Sequence, residues 1–153
     1  MRVRVALSMI MAIAATSAAV AHPADPAAAV RDVLLQNVAA FERGDYAATE
    51  RLWAHGDEVS VFESGHANYG WADYRDHHLK PELTEMKNVH YRLDDIRPRI
   101  RGSMAWATFK YSITADYEGR KIDGTGIGTA VMEKSGGAWK IVHWHTSAPR
   151  KKP

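Results

Sequence analysis

The stretch that decides the fold is Gly136-Gly137-Ala138-Trp139-Lys140-Ile141-Val142-His143-Trp144-His145-Thr146-Ser147. The glycine pair supplies a turn, and the β-branched and aromatic residues after it predict a strand. Side chains of a strand alternate between its two faces. Trp139, Ile141, His143, His145 and Ser147 are therefore expected on one face, with Lys140, Val142, Trp144 and Thr146 on the other. Lys140 marks its own face as the outer one, which turns His143 and His145 inward, toward a pocket.

Three more extended segments lead up to this strand, from about Asn88 to Arg99, Met104 to Tyr117 and Lys121 to Lys134. The links Arg101-Gly102-Ser103, Glu118-Gly119-Arg120 and Ser135-Gly136-Gly137 are short enough to make hairpins, hence an antiparallel meander. Gly124, Gly126 and Gly128 alternate along the third segment, and glycines on one face of a strand permit bending or close approach of another group. No strand-to-helix turn surrounds them, so they are not a phosphate-binding loop.

The N-terminal half is helical. Val30, Val33, Leu34, Asn37, Val38 and Phe41 fall at helical spacing within Ala27 to Arg43. Gly44 ends that helix and Asp45 caps a second, from Tyr46 to about Trp53, with Leu52 and Trp53 toward the core. His55 follows in a turn and reads as a surface histidine. Glu58 to Ser64 alternates as a strand with Val59 and Val61 inward. Glu63 joins them if the strand runs that far, and meets water if it stops short. A carboxylate on that face needs a partner or a raised pKa. Gly65 to Gly70, with His66, reads as a loop. Trp71 to Met86 is a third helix, kinked or broken at Pro81. Trp71, Tyr74 and His78 lie along one side of it. Adjacent helical residues point about 100° apart, so at most one of His77 and His78 points fully into a pocket, and His78 continues the aromatic stripe.

The chain opens with Arg2 and Arg4, an apolar run from Val5 to Ala15 and the small-residue pattern Ala19-Val20-Ala21. This predicts an export signal over residues 1–21, a flexible lead-in over 22–26, one domain over 27–148 and a basic tail over 149–153. The expected location is periplasmic or secreted. No second long apolar run predicts a membrane span. Losing Arg2 and Arg4 from the 20 basic residues makes them equal in number to the 18 acidic ones. No basic stripe argues for nucleic acid. The absence of cysteine excludes thiol catalysis and thiolate metal sites. The 8 histidines all lie beyond the signal and call for an explanation.

Helices with one short strand among them, followed by a long meander, make an α+β plan. The closing segment from Gly137 to Ser147, the preceding Gly128-Thr129-Ala130-Val131-Met132-Glu133-Lys134, and Phe41-Glu42-Arg43-Gly44-Asp45-Tyr46 in the first helix and its exit resemble SnoaL-like members of the nuclear transport factor 2-like superfamily. The resemblance covers about Ala27 to Ser147. It implies a cone-shaped fold, with three N-terminal helices packed on a curved, mainly antiparallel sheet and a pocket at the open end. Many members are dimers through the sheet, and their activities span isomerases, cyclases, dehydratases and ligand binders. The aspartate base with its tyrosine and acid partners, used by the superfamily's isomerases, has no match in this chain.

The expected function is therefore binding, with or without transformation, of a small molecule. As an enzyme the protein would use acid–base chemistry, with His143 or His145 as base, Glu63 orienting it, and Tyr74 or His78 assisting. Trp71, Tyr74, His78 and His66 would line the ligand site. The runner-up is a metal-binding protein holding zinc or copper through His78, His143, His145 and Glu63. Residues two apart on a strand are separated by roughly 6.5–7 Å, which permits His143 and His145 to share an ion. A third reading is a dimeric interaction protein whose outer face carries Val142 and Trp144. A homodimer is expected in any of these cases.

Overall fold

The computed structural model describes residues 25–149. The expected export signal, most of the lead-in and most of the basic tail lie outside the described residues. Helix α1 (Pro26–Glu42) begins where Asp25 accepts a hydrogen bond from the Ala27 amide at 3.0 Å and Pro26 occupies the first turn. Its buried stripe includes Val30, Leu34, Asn37 and Val38. Gly44, at φ 64°, ends the turn, and Asp45 caps α2 (Tyr46–Glu50) through the Ala48 amide. The Gly44 stop and the Asp45 cap follow the sequence reading, while α2 ends at Glu50, short of the expected Trp53.

Strand β1 (Ser60–Glu63) pairs antiparallel with β2 (His66–Tyr69). The segment expected as a loop around His66 is thus a hairpin strand: Ser64 and Gly65, both at positive φ, make a two-residue turn. One helical segment then runs on as α3 (Trp71–Tyr74), a wider π-turn over Arg75–Leu79 and α4 (Lys80–Glu85). Pro81 has no N–H to give to the preceding turn. The Lys80 amide instead bonds the Arg75 carbonyl, and the helix widens rather than breaks.

The meander follows as β3 (Lys87–Arg101), β4 (Met104–Tyr117), β5 (Arg120–Ser135) and β6 (Ala138–Ser147). The six strands form one sheet in the order β2-β1-β6-β5-β4-β3. All neighbours are antiparallel except β1 and β6. The helices cover one face, and the core between the layers includes Val30, Leu34, Trp53, Val61, Leu79, Ala107, Phe109, Met132 and Ile141. This is the α+β plan that the order of elements predicted, in the cone-shaped form that the family resemblance implied. Gly128 shows why glycines recur on the inner face of β5. A Cβ there would lie 2.3 Å from the Phe109 ring and 2.9 Å from the His145 carbonyl oxygen.

Strand β6 departs from simple alternation. His143 lies opposite Val131, and Ile141 lies opposite the next residue, Met132, so Val142 has no opposite number. This β-bulge shifts the facing by one position. Trp139 and Ile141 face the core, and beyond the bulge so do Trp144 and Thr146. His143 and His145 are thereby placed on the outer face. The expectation that they point inward with Trp139 and Ile141 is corrected. So is the expectation that Trp144 lies outside: it is 3 % exposed and packs against Phe109, with ring centroids 4.9 Å apart and the planes tilted by 38°.

Candidate functional site

Between the helices and the inner sheet face lies a cavity of about 270 Å³. Its walls are aromatic and aliphatic. Phe41 comes from α1, Trp53 from the turn after α2 and Tyr74 from α3. Tyr91, Tyr111 and Trp144 come from the sheet. Met86, Ile113, Tyr117 and Ile122 close the remaining sides. Glu63 from β1, Thr146 from β6, His78 from the π-turn and Glu82 from α4 gather at one end, with His66 at the rim; Asn37 and Ser64 also line the cavity, and Asn37 Oδ1 accepts the Trp53 indole N–H.

Glu63 is placed inside because β1 does run through it, with Val61 on the same face and fully buried. One carboxylate oxygen, Oε1, accepts two hydrogen bonds, from Trp144 Nε1–H and from the Thr146 hydroxyl, each at 3.1 Å. The other, Oε2, is 3.5 Å from His78 Nε2. Burial, and then the neighbouring Glu82 charge, push the Glu63 pKa from 4.5 up to about 7, against the pull of His78 and of the two donated bonds. Near neutral pH this carboxyl is poised between its two forms, which suits it to give or take a proton.

His78 lies between two carboxylates, with Glu82 Oε1 at 3.4 Å from the same Nε2. Its other nitrogen, Nδ1, is 2.8 Å from Asn68 Oδ1. The Asn68 amide is oriented in turn, because its Nδ2 donates to Asp73 Oδ2 at 3.1 Å. A carboxylate accepts only, so the Asn68 oxygen must face His78, and Nδ1 must carry a hydrogen. The titrating nitrogen is therefore Nε2, the one that faces Glu63 and Glu82. Burial opposes the imidazolium, but the bond to Glu82 and the charges on Glu82, Glu63 and Asp73 outweigh it and raise its pKa. Tyr74 and Tyr91 are held well above the usual phenol value, first by burial and then by Glu63, so they remain hydrogen-bond donors.

Of the residues singled out in the sequence, Glu63, Tyr74 and His78 meet in this cavity and His66 stands at its mouth. Trp71 does not line it: it is buried against Trp53 and His55, with ring centroids at 6.0 and 5.0 Å. His77 points to solvent with 75 % of its side chain exposed and pairs with Asp73, so His78 is the inward member of the pair. His143 and His145 lie across the sheet from the His78–Glu63 couple. His143 bonds the Ser60 hydroxyl at 2.8 Å and meets the Phe62 ring edge-on at 5.3 Å. Burial, then the nearby His145, lower its pKa. The four residues of the expected metal set are thus not gathered round one point. Among the described residues no group of three or more His, Asp or Glu side chains is arranged to hold an ion.

Sequence reasoning missed Glu82, Asn68, Trp144 and Thr146. Glu82 was within reach, because it extends the Tyr74–His78 side of the helix by four residues. Trp144 and Thr146 were hidden by the bulge, and Asn68 by a strand too short to show a pattern.

The family model described as "SnoaL-like domain" matches residues 30–151. No curated protein sequence matches the chain. Among solved structures, a candidate ketosteroid isomerase from Shewanella frigidimarina shares 27 % identity. The match covers 78 % of this chain and 94 % of that one, with a TM-score of 0.63. A candidate dehydratase of the NTF2-like family from Streptomyces avermitilis shares 18 %, over 82 % and 96 % of the two chains, with a TM-score of 0.74. The CaMKII hub of S. rosetta shares 22 %, over 84 % and 100 %, with a TM-score of 0.68. Similar folds thus carry unlike names, and the site must decide the function.

Proposed function

The chain belongs to the SnoaL-like domain family, and from that premise we propose that it works through its cavity, binding a small, largely apolar molecule and moving a proton at that molecule's polar end. The observation that carries this reading is Glu63. It is a carboxyl set among aromatic side chains, with one oxygen fixed by Trp144 and Thr146 and the other turned to His78. Fixing Oε1 leaves Oε2 as the oxygen that exchanges a proton with the ligand. His78 stabilises the carboxylate when it forms and can hand its own Nε2 proton toward Glu82. Isomerisation and dehydration are the reaction classes such a group serves, since both need one proton removed and one returned.

In this reading Glu63 takes the role first given to His143 and His145, and His78 the orienting role first given to Glu63. The outer sheet face, with Tyr69 at 69 % and Ile127 at 63 % exposure, is assigned to a second copy of the chain. The apparent export signal in residues 1–21 supports a periplasmic or secreted location.

The test is a panel of small aromatic and alicyclic compounds screened against the mature protein by ligand-observed NMR, beside Glu63→Gln and His143→Ala/His145→Ala variants. Binding that Glu63→Gln alters and the double histidine variant leaves intact is the expected result. Binding that depends on the two outer histidines and ignores Glu63 would move the site to the other face of the sheet.

A further inference from the structure

The cavity is acidic at one end and aromatic along its walls. Among the described residues, no lysine or arginine lines it. Glu63 and Glu82 both face its polar end, and His78, lying 3.5 and 3.4 Å from them, can neutralise only one. Asp73 reaches His78 only through Asn68. The remaining titratable groups are His66 at the rim and the phenols of Tyr74, Tyr91, Tyr111 and Tyr117, and a phenol brings no positive charge. With both glutamates ionised, one carboxylate is left without a countercharge in a largely apolar space, a costly arrangement.

Three kinds of ligand respond differently to that excess. An anion meets two carboxylates and is rejected. A neutral molecule leaves the excess in place. A cation removes it, and the apolar remainder of an organic cation packs against the rings of Phe41, Trp53, Tyr91, Tyr111 and Trp144. We propose that the ligand is an organic cation of mainly apolar surface, a protonated or quaternary amine, with its ammonium on the cavity side of the Glu63 and Glu82 carboxylates and its apolar part among the aromatic rings. This rests on the reading of the cavity as the functional site. The cavity volume of about 270 Å³ lies just below the usual range of roughly 300–1,000 Å³, which limits the ligand to about one ring and a small head group. An amine that enters neutral takes the carboxyl proton of Glu63 onto its nitrogen lone pair, and the products are the ammonium and the carboxylate it pairs with.

Three probes of similar shape test the charge: benzyltrimethylammonium, its uncharged carbon isostere neopentylbenzene, and benzylsulfonate. Affinities are measured by quenching of tryptophan fluorescence in the wild type and in Glu63→Gln, Glu82→Gln and the double variant. Glutamine at position 63 keeps an acceptor for Trp144 and Thr146, and far-ultraviolet circular dichroism checks that each variant is folded. The expected order at pH 8 is cation over isostere by tenfold or more, with no sulfonate binding. The preference should shrink in each single variant and vanish in the double one. With the Glu63 pKa at about 7, cation affinity should rise roughly tenfold from pH 6 to pH 8, and isostere affinity should not. An isostere that binds as tightly as the cation, or a preference that survives in the double variant, overturns the inference and leaves the cavity reading standing. If none of the three probes binds, and the wider panel also fails, both fall together.

Discussion

Replacing Glu63 by glutamine separates the cost of burying its charge from the hydrogen bonds it accepts. In the folded protein its pKa is pushed from 4.5 to about 7. The folded state therefore holds this proton over a pH range in which the unfolded chain has released it. Stability from such a group is fully present below about pH 4.5 and is lost as pH rises through 7. At 1.36 kcal/mol per pKa unit, the wild type should lose about 3 kcal/mol from this carboxyl between pH 4.5 and pH 8. Glutamine keeps an oxygen for Trp144 Nε1 and Thr146 Oγ1 and carries no charge. The lowered pKa values of Asp73, Asp76, Asp95 and Asp116 act in both proteins and cancel in the difference. The assay is urea unfolding of wild type and variant at half-unit steps of pH. Similar stability near pH 4.5 and a variant more stable by about 3 kcal/mol near pH 8 is the expected outcome. His78 adds to the trend, because loss of the Glu63 charge lowers its pKa as well. A difference that stays flat with pH, or a wild type that gains on the variant as pH rises, would refute the burial argument for Glu63.

Three further outcomes are expected. Asn68→Ala removes the acceptor at His78 Nδ1, so nitrogen-15 shifts of the His78 ring should show a mixed tautomer population where the wild type shows Nδ1–H; an unchanged spectrum would mean that Asn68 does not set the tautomer. Gly128→Ala places a methyl 2.3 Å from the Phe109 ring, and overpacking of this kind costs ~1–3 kcal/mol, read as a lower urea midpoint, whereas Thr129→Ala on the other face should stay near wild type. Ile127→Arg with Tyr69→Arg puts charge on the exposed apolar residues of the outer face and should convert a dimer to a monomer in analytical ultracentrifugation without changing ligand affinity; dimers that persist would place the contact between copies elsewhere.

Much of the plan was legible because its signals are local. The Asp45 cap, the Gly44 stop and the short glycine turns each act within a few residues, and the meander follows from turn length alone. The apolar stripe of α1 needs only a helical period. The two valines before Glu63 set its face but left open whether the strand reached it, which the structure decided; the inward placement of His78 followed from the stripe begun at Trp71 and Tyr74. Even here the reading was partial, because Trp71 belongs to the packed layer behind the cavity.

What the sequence determined by itself is the helices, the strands of the meander and the class of fold, since periodicity, caps and turns are properties of neighbouring residues; the short strand β2 escaped it. What only the tertiary structure decided is which face of β6 meets the cavity and which charges share it. A β-bulge is a count of two residues against one, and Val142 is extra only relative to Val131 and Met132 on the partner strand. That single unpaired residue moves His143 and His145 outside and brings Trp144 and Thr146 onto Glu63. The parallel pairing of β1 with β6 and the widening of the helix before Pro81 then bring Glu63 and His78 within 3.5 Å. Burial of a carboxylate, and so its pKa, exists only once those distant segments have closed over it.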